Sequence, residues 1–389
     1  LESSRAAAVK ALVGAILVAT ISGVGMSLTT ALLAVRLDTA GFSARAIGIN
    51  TAAGGVATLL CAPATPWIAR KIGVVRLLTT ALLLGGLALL CFTLSSSYLV
   101  WLVLRFFIGL VVTVNFVLGE YWITTRAPEG SRGIAVGVYA TSLALGFAVG
   151  PLLLRWTGTD GDLPFYLGAA LFVGAAGPLA FNAPSAPRLE LRSTKTLLTF
   201  LREAPAATLA AMLQGAIEIA GLSLLPVYAL RAGLGVADGA LFASVFVVGS
   251  SALQMPLGLL ADRVDPRKLL IALATIGLFG AAILAAIGPT EIRTFEALLL
   301  LWGGIVGALY PVGLSYIATK YRNADLAGAN AAFVMAYAFG MLAGPPLVGA
   351  GLDFAPDGFF WVIATLLALY LIIVAAQRVH EARWLRTFP

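Results

Sequence analysis

Apolar residues run along this chain in long unbroken blocks rather than in alternation. Twelve such stretches fall at about 11–35, 46–69, 75–94, 98–122, 132–154, 164–182, 206–230, 239–261, 269–288, 295–319, 326–350 and 358–376. A bilayer core of ~30 Å takes about 20 apolar residues of α-helix to cross, and each block is near that length. Continuous apolar character predicts helices, because a membrane barrel reads as short segments of alternating polarity. The longest polar interval, Asn182 to Pro205, holds Pro184, Pro187, Arg188, Glu190, Arg192, Lys195, Arg202 and Glu203. It divides the chain into six spans and six spans. The expected organisation is a first six-helix bundle over 1–182, a cytoplasmic linker over 183–205, and a second six-helix bundle with a short cytoplasmic tail over 206–389.

Composition agrees with this pattern. The chain is 60% hydrophobic and 11% charged, with a mean hydropathy of +0.98, a surface that water does not solvate. The 42 glycines suit helices that pack closely in lipid. The net charge of +7 is topological rather than a signal for nucleic acid. With the N-terminus placed in the cytoplasm, nineteen of the 25 Lys and Arg fall in cytoplasmic segments, five in outer segments and Arg105 inside a span. That asymmetry is the positive-inside rule, and it predicts both termini in the cytoplasm. Cys61 and Cys91 lie in different spans and read as small packing residues. His380, the only histidine, is in the tail, which removes histidine-based metal sites and triads.

The chain also repeats itself. Pro66-Trp67-Ile68-Ala69-Arg70-Lys71 answers Gly258-Leu259-Leu260-Ala261-Asp262-Arg263 at an offset of 192, and Gly146 to Pro151 answers Gly340 to Pro345 at an offset of 194. Two matches at nearly one offset predict a parallel duplication of six helices, with a solute site near the midplane between the halves.

The line Gly258-Leu259-Leu260-Ala261-Asp262-Arg263-Val264-Asp265-Pro266-Arg267-Lys268 reads G-x-L-A-D-R-x-x-x-R-K. This loop, the twelve spans and the repeat resemble the major facilitator superfamily over the whole chain. Within it, the chain resembles a YcaD-like bacterial subgroup. That likeness rests on Glu120-Tyr121-Trp122 with Arg132-Gly133 and Tyr139, on Leu225-Pro226-Val227-Tyr228 leading to Gln254-Met255-Pro256 and Gly258, and on Leu309-Tyr310-Pro311 leading to Gly344-Pro345. The resemblance implies an all-α integral membrane fold of two pseudo-symmetric six-helix halves, with the first, fourth, seventh and tenth helices lining a central cavity. The first half departs from the pattern: Arg70 stands where the loop expects Asp, and Pro66 where it expects Gly. Arg105-Phe106-Phe107-Ile108-Gly109 resembles the R-x-x-x-G element of proton-coupled drug exporters, with Ile108 replacing the usual glutamine. The Gly146 to Pro151 stretch resembles the fifth-helix motif of antiporters, although small-xxx-small is also general helix packing.

Apart from Arg76, Arg132 and Glu296 in the first two residues of their spans, three charged groups lie within the spans: Arg105 and Glu120 in the fourth, Glu218 in the seventh. A charge in the bilayer costs at least ~2.5–3.5 kcal/mol on insertion scales, so such a group faces a partner or a cavity. Glu218 falls ~15 Å into its span, at 1.5 Å per residue, with Gln214 one turn away on the same face. A carboxylate so placed suits binding and releasing a proton; its structural alternative is an ion pair or a hydrogen bond to a neighbouring helix. Arg105, ~9 Å below the outer surface, is a candidate for proton coupling and for substrate binding, or else a tie to neighbouring carbonyls. Asn115, Gln214, Tyr228, Trp302 and Tyr310, with Tyr139, Asn330 and Tyr337 on the fifth and eleventh spans, are further candidate solute contacts. Trp and Tyr equally serve as interface belts and packed core. Asp262, Arg263 and Arg267, with Glu120, Arg70 and Arg132, are candidates for a cytoplasmic gate whose ion pairs form in one state and break in the other. Pro226 and Pro311 would permit bends.

These residues predict a secondary active transporter that moves a small organic solute by alternating access, driven by a proton gradient and without a cofactor, since no G-x-x-x-x-G-K-[ST] loop is present. The fourth- and fifth-helix likenesses favour proton-coupled export. Uptake or facilitated diffusion of a small organic anion, with Arg105 as its charge partner, is the alternative. A membrane-embedded enzyme lacks a nucleophile with its base or a cluster of acids. A non-transporting receptor or structural bundle is the remaining reading. The expected setting is a monomer in the bacterial inner membrane, with lipid and the small solute as its partners and no nucleic acid.

Overall fold

The computed structural model describes residues 2–126, 132–182, 203–321 and 323–387. Most of the expected linker, residues 183–202, and the Arg132 side chain lie outside the described residues. The helices are α1 (Glu2–Thr39), α2 (Ala44–Ile72), α3 (Val74–Cys91), α4 (Tyr98–Arg126), α5 (Arg132–Thr157), α6 (Leu163–Asn182), α7 (Pro205–Arg231), α8 (Val236–Ala261), α9 (Pro266–Ile287), α10a (Ile292–Gly307), α10b (Leu309–Lys320), α11 (Asn323–Phe354) and α12 (Gly358–Thr387). Each apolar block becomes one helix, apart from the tenth. Among the described residues, ten helical spans are long and apolar enough to cross a membrane, counting α10a and α10b as one, and α6 adds a shorter apolar stretch, Leu163–Gly177. Large apolar side chains such as Leu60, Leu87, Phe279 and Ile372 are exposed, as expected of a surface dissolved in lipid.

Local chemistry sets the ends of these helices. Gly73 (φ 93°) separates α2 from α3, and Gly288 (φ 59°) stops α9; both take a left-handed backbone that costs glycine little. Asp265 caps α9 by accepting from the Arg267 amide at 2.9 Å, with Pro266 at the first helical position. The tenth span breaks at Ala308, between α10a and α10b. Pro311 has no N–H to donate to the Gly307 carbonyl, so the ladder loses a rung there. Pro226 lies inside α7 without interrupting it.

The chain divides into two compact units. The first comprises Leu1–Phe42, Ile49–Leu191 and Leu225–Ser244; the second comprises Ser43–Gly48, Arg192–Leu224 and Val245–Pro389. The first few residues of α2 thus group with the second unit, and the end of α7 and start of α8 with the first. In the first unit α5 lies against α1 through two glycine notches. A Cβ on Gly146 would stand 2.4 Å from the Thr20 carbonyl oxygen and 3.3 Å from the Val24 amide nitrogen, and one on Gly150 only 1.9 Å from Ser27 Oγ. In the second unit α11 lies against α7 in the same way. A Cβ on Gly340 would stand 1.8 Å from the Met212 carbonyl oxygen and 2.8 Å from the Ala216 amide nitrogen, and one on Gly344 2.4 Å from Ala216 Cα. Met212 and Ala216 follow Thr20 and Val24 by 192 residues, so the internal repeat is also a repeat of packing.

Candidate functional site

Helix α4 carries two buried polar groups of the first unit, Arg105 and Asn115. Arg105 is 4% exposed, and its Nη2 donates to Thr30 Oγ1 on α1 at 2.6 Å. The Thr30 hydroxyl itself donates to the Met26 carbonyl at 2.8 Å, so its oxygen serves both bonds. Nη1 of Arg105 has no hydrogen-bond partner. Deeper along α4, Asn115 Nδ2 donates to Ser22 Oγ at 3.2 Å, while its Oδ1 is buried without a donor. Tyr139 is buried, its hydroxyl 3.9 Å from where a Cβ on Gly119 would lie. Glu120 and Arg70 are exposed.

The second unit builds a different cluster around Glu218, which is partly buried on α7. Its Oε2 accepts from Gln214 Nε2 at 3.3 Å and from the Tyr337 hydroxyl on α11 at 3.1 Å. Gln214 precedes it by one turn, as the sequence spacing requires. Tyr337 reaches it because α7 and α11 touch at Gly215, where a Cβ would lie 2.2 Å from the Tyr337 carbonyl oxygen. The Tyr310 ring packs edge-on against Tyr337 at 5.4 Å and against Phe333 at 4.8 Å. Gln214 and Glu218, expected on one helix face, and Tyr310 and Tyr337, expected separately, therefore form one polar and aromatic group. Asn330 is partly buried with Oδ1 unpartnered, and Tyr228 is buried. Trp302 sits in packing, its indole N–H donated to the Gly277 carbonyl at 2.9 Å and its ring against Phe246 and Phe360.

The charged loop after α8 has a simpler geometry than its sequence suggests. Asp262 and Arg263 are exposed and Arg267 is partly buried; the carboxylate with a defined role is Asp265, the cap of α9. An ion pair joins Asp38, in the last turn of α1, to Arg231 at the end of α7, at 3.0 Å. In the second unit, Asp353 of α11 caps the start of α2, accepting from the Ala44 amide at 2.7 Å and the Arg45 amide at 2.8 Å. Sequence reasoning passed over Asp38, Asp353, Thr30 and Ser22. Arg231 beside a tight turn was the available signal for the first, and an acid at the foot of the eleventh span for the second.

A bundle of membrane-length helices with a duplicated packing core and isolated charges in mid-span defines a membrane transporter of solutes. Residues 15–248 and 237–387 match the Major Facilitator Superfamily, and the chain belongs to that family. It is 26% identical over 370 residues to the uncharacterized MFS-type transporter YfkF of Bacillus subtilis (strain 168), covering 93% of this chain and 94% of the relative. It is 24% identical over 332 residues to the uncharacterized MFS-type transporter YcaD of Escherichia fergusonii, covering 84% of each. Its fold is similar to that of a mutant form of the nucleoside transporter NupG, with a TM-score of 0.77 at 14% identity, over 95% of this chain and 98% of the other. The family is one of transporters, and the chain is a secondary transporter rather than an enzyme.

Proposed function

We propose that this chain moves a small organic solute across the membrane by alternating access, coupled to protons, with Glu218 as the group that takes up and releases the proton. The observation that carries this reading is the setting of Glu218. Its carboxylate is mid-span, partly open, and accepts two hydrogen bonds, with no cation against it among the described residues. A carboxylate oxygen accepts from the Gln214 amide and the Tyr337 hydroxyl whether or not the other oxygen carries a proton. The same packing therefore tolerates both forms, which a proton carrier requires. The likeness of Arg105 to Gly109 and of Gly146 to Pro151 to exporter elements favours outward movement of the solute.

The test is internal pH in proteoliposomes of purified protein, challenged with a panel of organic solutes, with Glu218→Gln alongside. Solute-triggered proton movement that the variant loses, at unchanged yield and melting temperature, supports the reading. Equal proton movement in the variant overturns the role of Glu218. Labelled solute that crosses with no proton movement overturns the coupling.

A further inference from the structure

The buried guanidinium of Arg105 is only half satisfied. Thr30 Oγ1 takes Nη2, and Nη1 faces no acceptor. The Thr30 hydroxyl also donates to the Met26 carbonyl of its own helix. A second buried donor shares this condition. Asn50 Nδ2, on α2, also has no partner. Helices α2 and α4 run in fixed register: a Cβ on Gly109 would stand 2.8 Å from Gly54 Cα, and Thr58 Oγ1 meets Thr113 Oγ1 at 2.9 Å, 55 residues apart in sequence. One turn further along the same register, Asn50 lies at the level of Arg105.

Two unsatisfied donors at one depth, one of them charged, lack an acceptor with negative charge. A helix tie would not need both of them, because the Thr30 contact already joins α4 to α1. We propose that the transported solute carries a carboxylate, and that this group docks on Arg105 Nη1 with the Asn50 amide as its second donor. The planar guanidinium matches a carboxylate in shape and charge. A single cation suits a monoanion; phosphate esters draw on several Arg or Lys. The assignment rests on the reading of the chain as a solute transporter and adds the chemical class of its cargo.

The experiment is thermal melting of the purified full-length chain with matched probes: sodium benzoate against benzamide, and sodium lactate against lactamide. A carboxylate is expected to raise the melting temperature by about 2–4 °C while its amide does not. Arg105→Gln abolishes that difference, and Asn50→Ala weakens the apparent affinity by about tenfold. Without probe, Arg105→Gln melts at or above wild type, because it removes a charge with no counter-ion. No carboxylate response in wild type, an undiminished response in Arg105→Gln, or a large drop in its probe-free melting each overturns the proposal. Glu218→Gln separates the two readings: carboxylate binding retained with proton movement lost supports both. Binding in a wild type that moves no protons sinks only the coupling, and coupled flux of neutral solutes without carboxylate binding sinks only this site.

Discussion

The two compact units handle a charge inside the bilayer in opposite ways. The first seals a cation: Arg105 is 4% exposed and meets one hydroxyl. The second leaves an acid partly open and gives it two donors, Gln214 and Tyr337. In low dielectric an unmade hydrogen bond costs more than a made one returns. The acid therefore has two hydrogen bonds made, whereas the cation keeps one buried donor without an acceptor. Two halves that repeat each other in backbone packing have diverged in the chemistry they hold.

The largest effect that tests this contrast is at Glu218. Glu218→Gln keeps a hydrogen-bonding group of the same size and is expected to abolish solute-linked proton flux, with melting within about 1 kcal/mol of wild type. Thr30→Val comes next. It removes the acceptor that Arg105 has, and a bond to a charged group is worth about 1.5–3 kcal/mol, so it should lower stability by about that much in a melting or denaturant series. Tyr337→Phe removes one of two donors to Glu218 and should cost about 1 kcal/mol, with proton flux reduced but present. If Tyr337→Phe proved costlier than Thr30→Val, the contrast between a saturated acid and a half-satisfied cation would be wrong. The smallest effect is at Arg231→Gln. This pair is partly exposed, 30% at Arg231 and 16% at Asp38, and screened pairs of that kind contribute about 0–1 kcal/mol, to be read as a salt-dependent loss in melting temperature.

Much of the fold was legible because lipid imposes one rule on every span: a continuous apolar block must become a helix. The repeat was legible from glycines that reappear at a fixed offset, Gly146 with Gly340 and Gly150 with Gly344. The mid-span charges Arg105 and Glu218 stood out by their cost. Their partners did not. Thr20, Thr29, Ser223 and Ser244 all donate to a carbonyl of their own helix, and Thr30 does so too while also serving Arg105. Nothing in a sequence distinguishes a hydroxyl that does only the first from one that does both. The acid of the charged loop shows the converse difficulty. Asp262 fits the pattern by position, yet Asp265 is the residue whose carboxylate the helix start requires.

The four notch glycines bear on how such a protein changes its cargo over time. At Gly146, Gly150, Gly340 and Gly344 one added methyl meets backbone or a buried hydroxyl within 2.4 Å. Any single substitution there disturbs the contact between two helices before it alters anything a solute touches. A library selected for altered preference should therefore return almost no survivors at these positions and many at Asn50, Asn115, Gln214 and Tyr310. Relatives with different cargoes would then keep these four glycines and differ elsewhere.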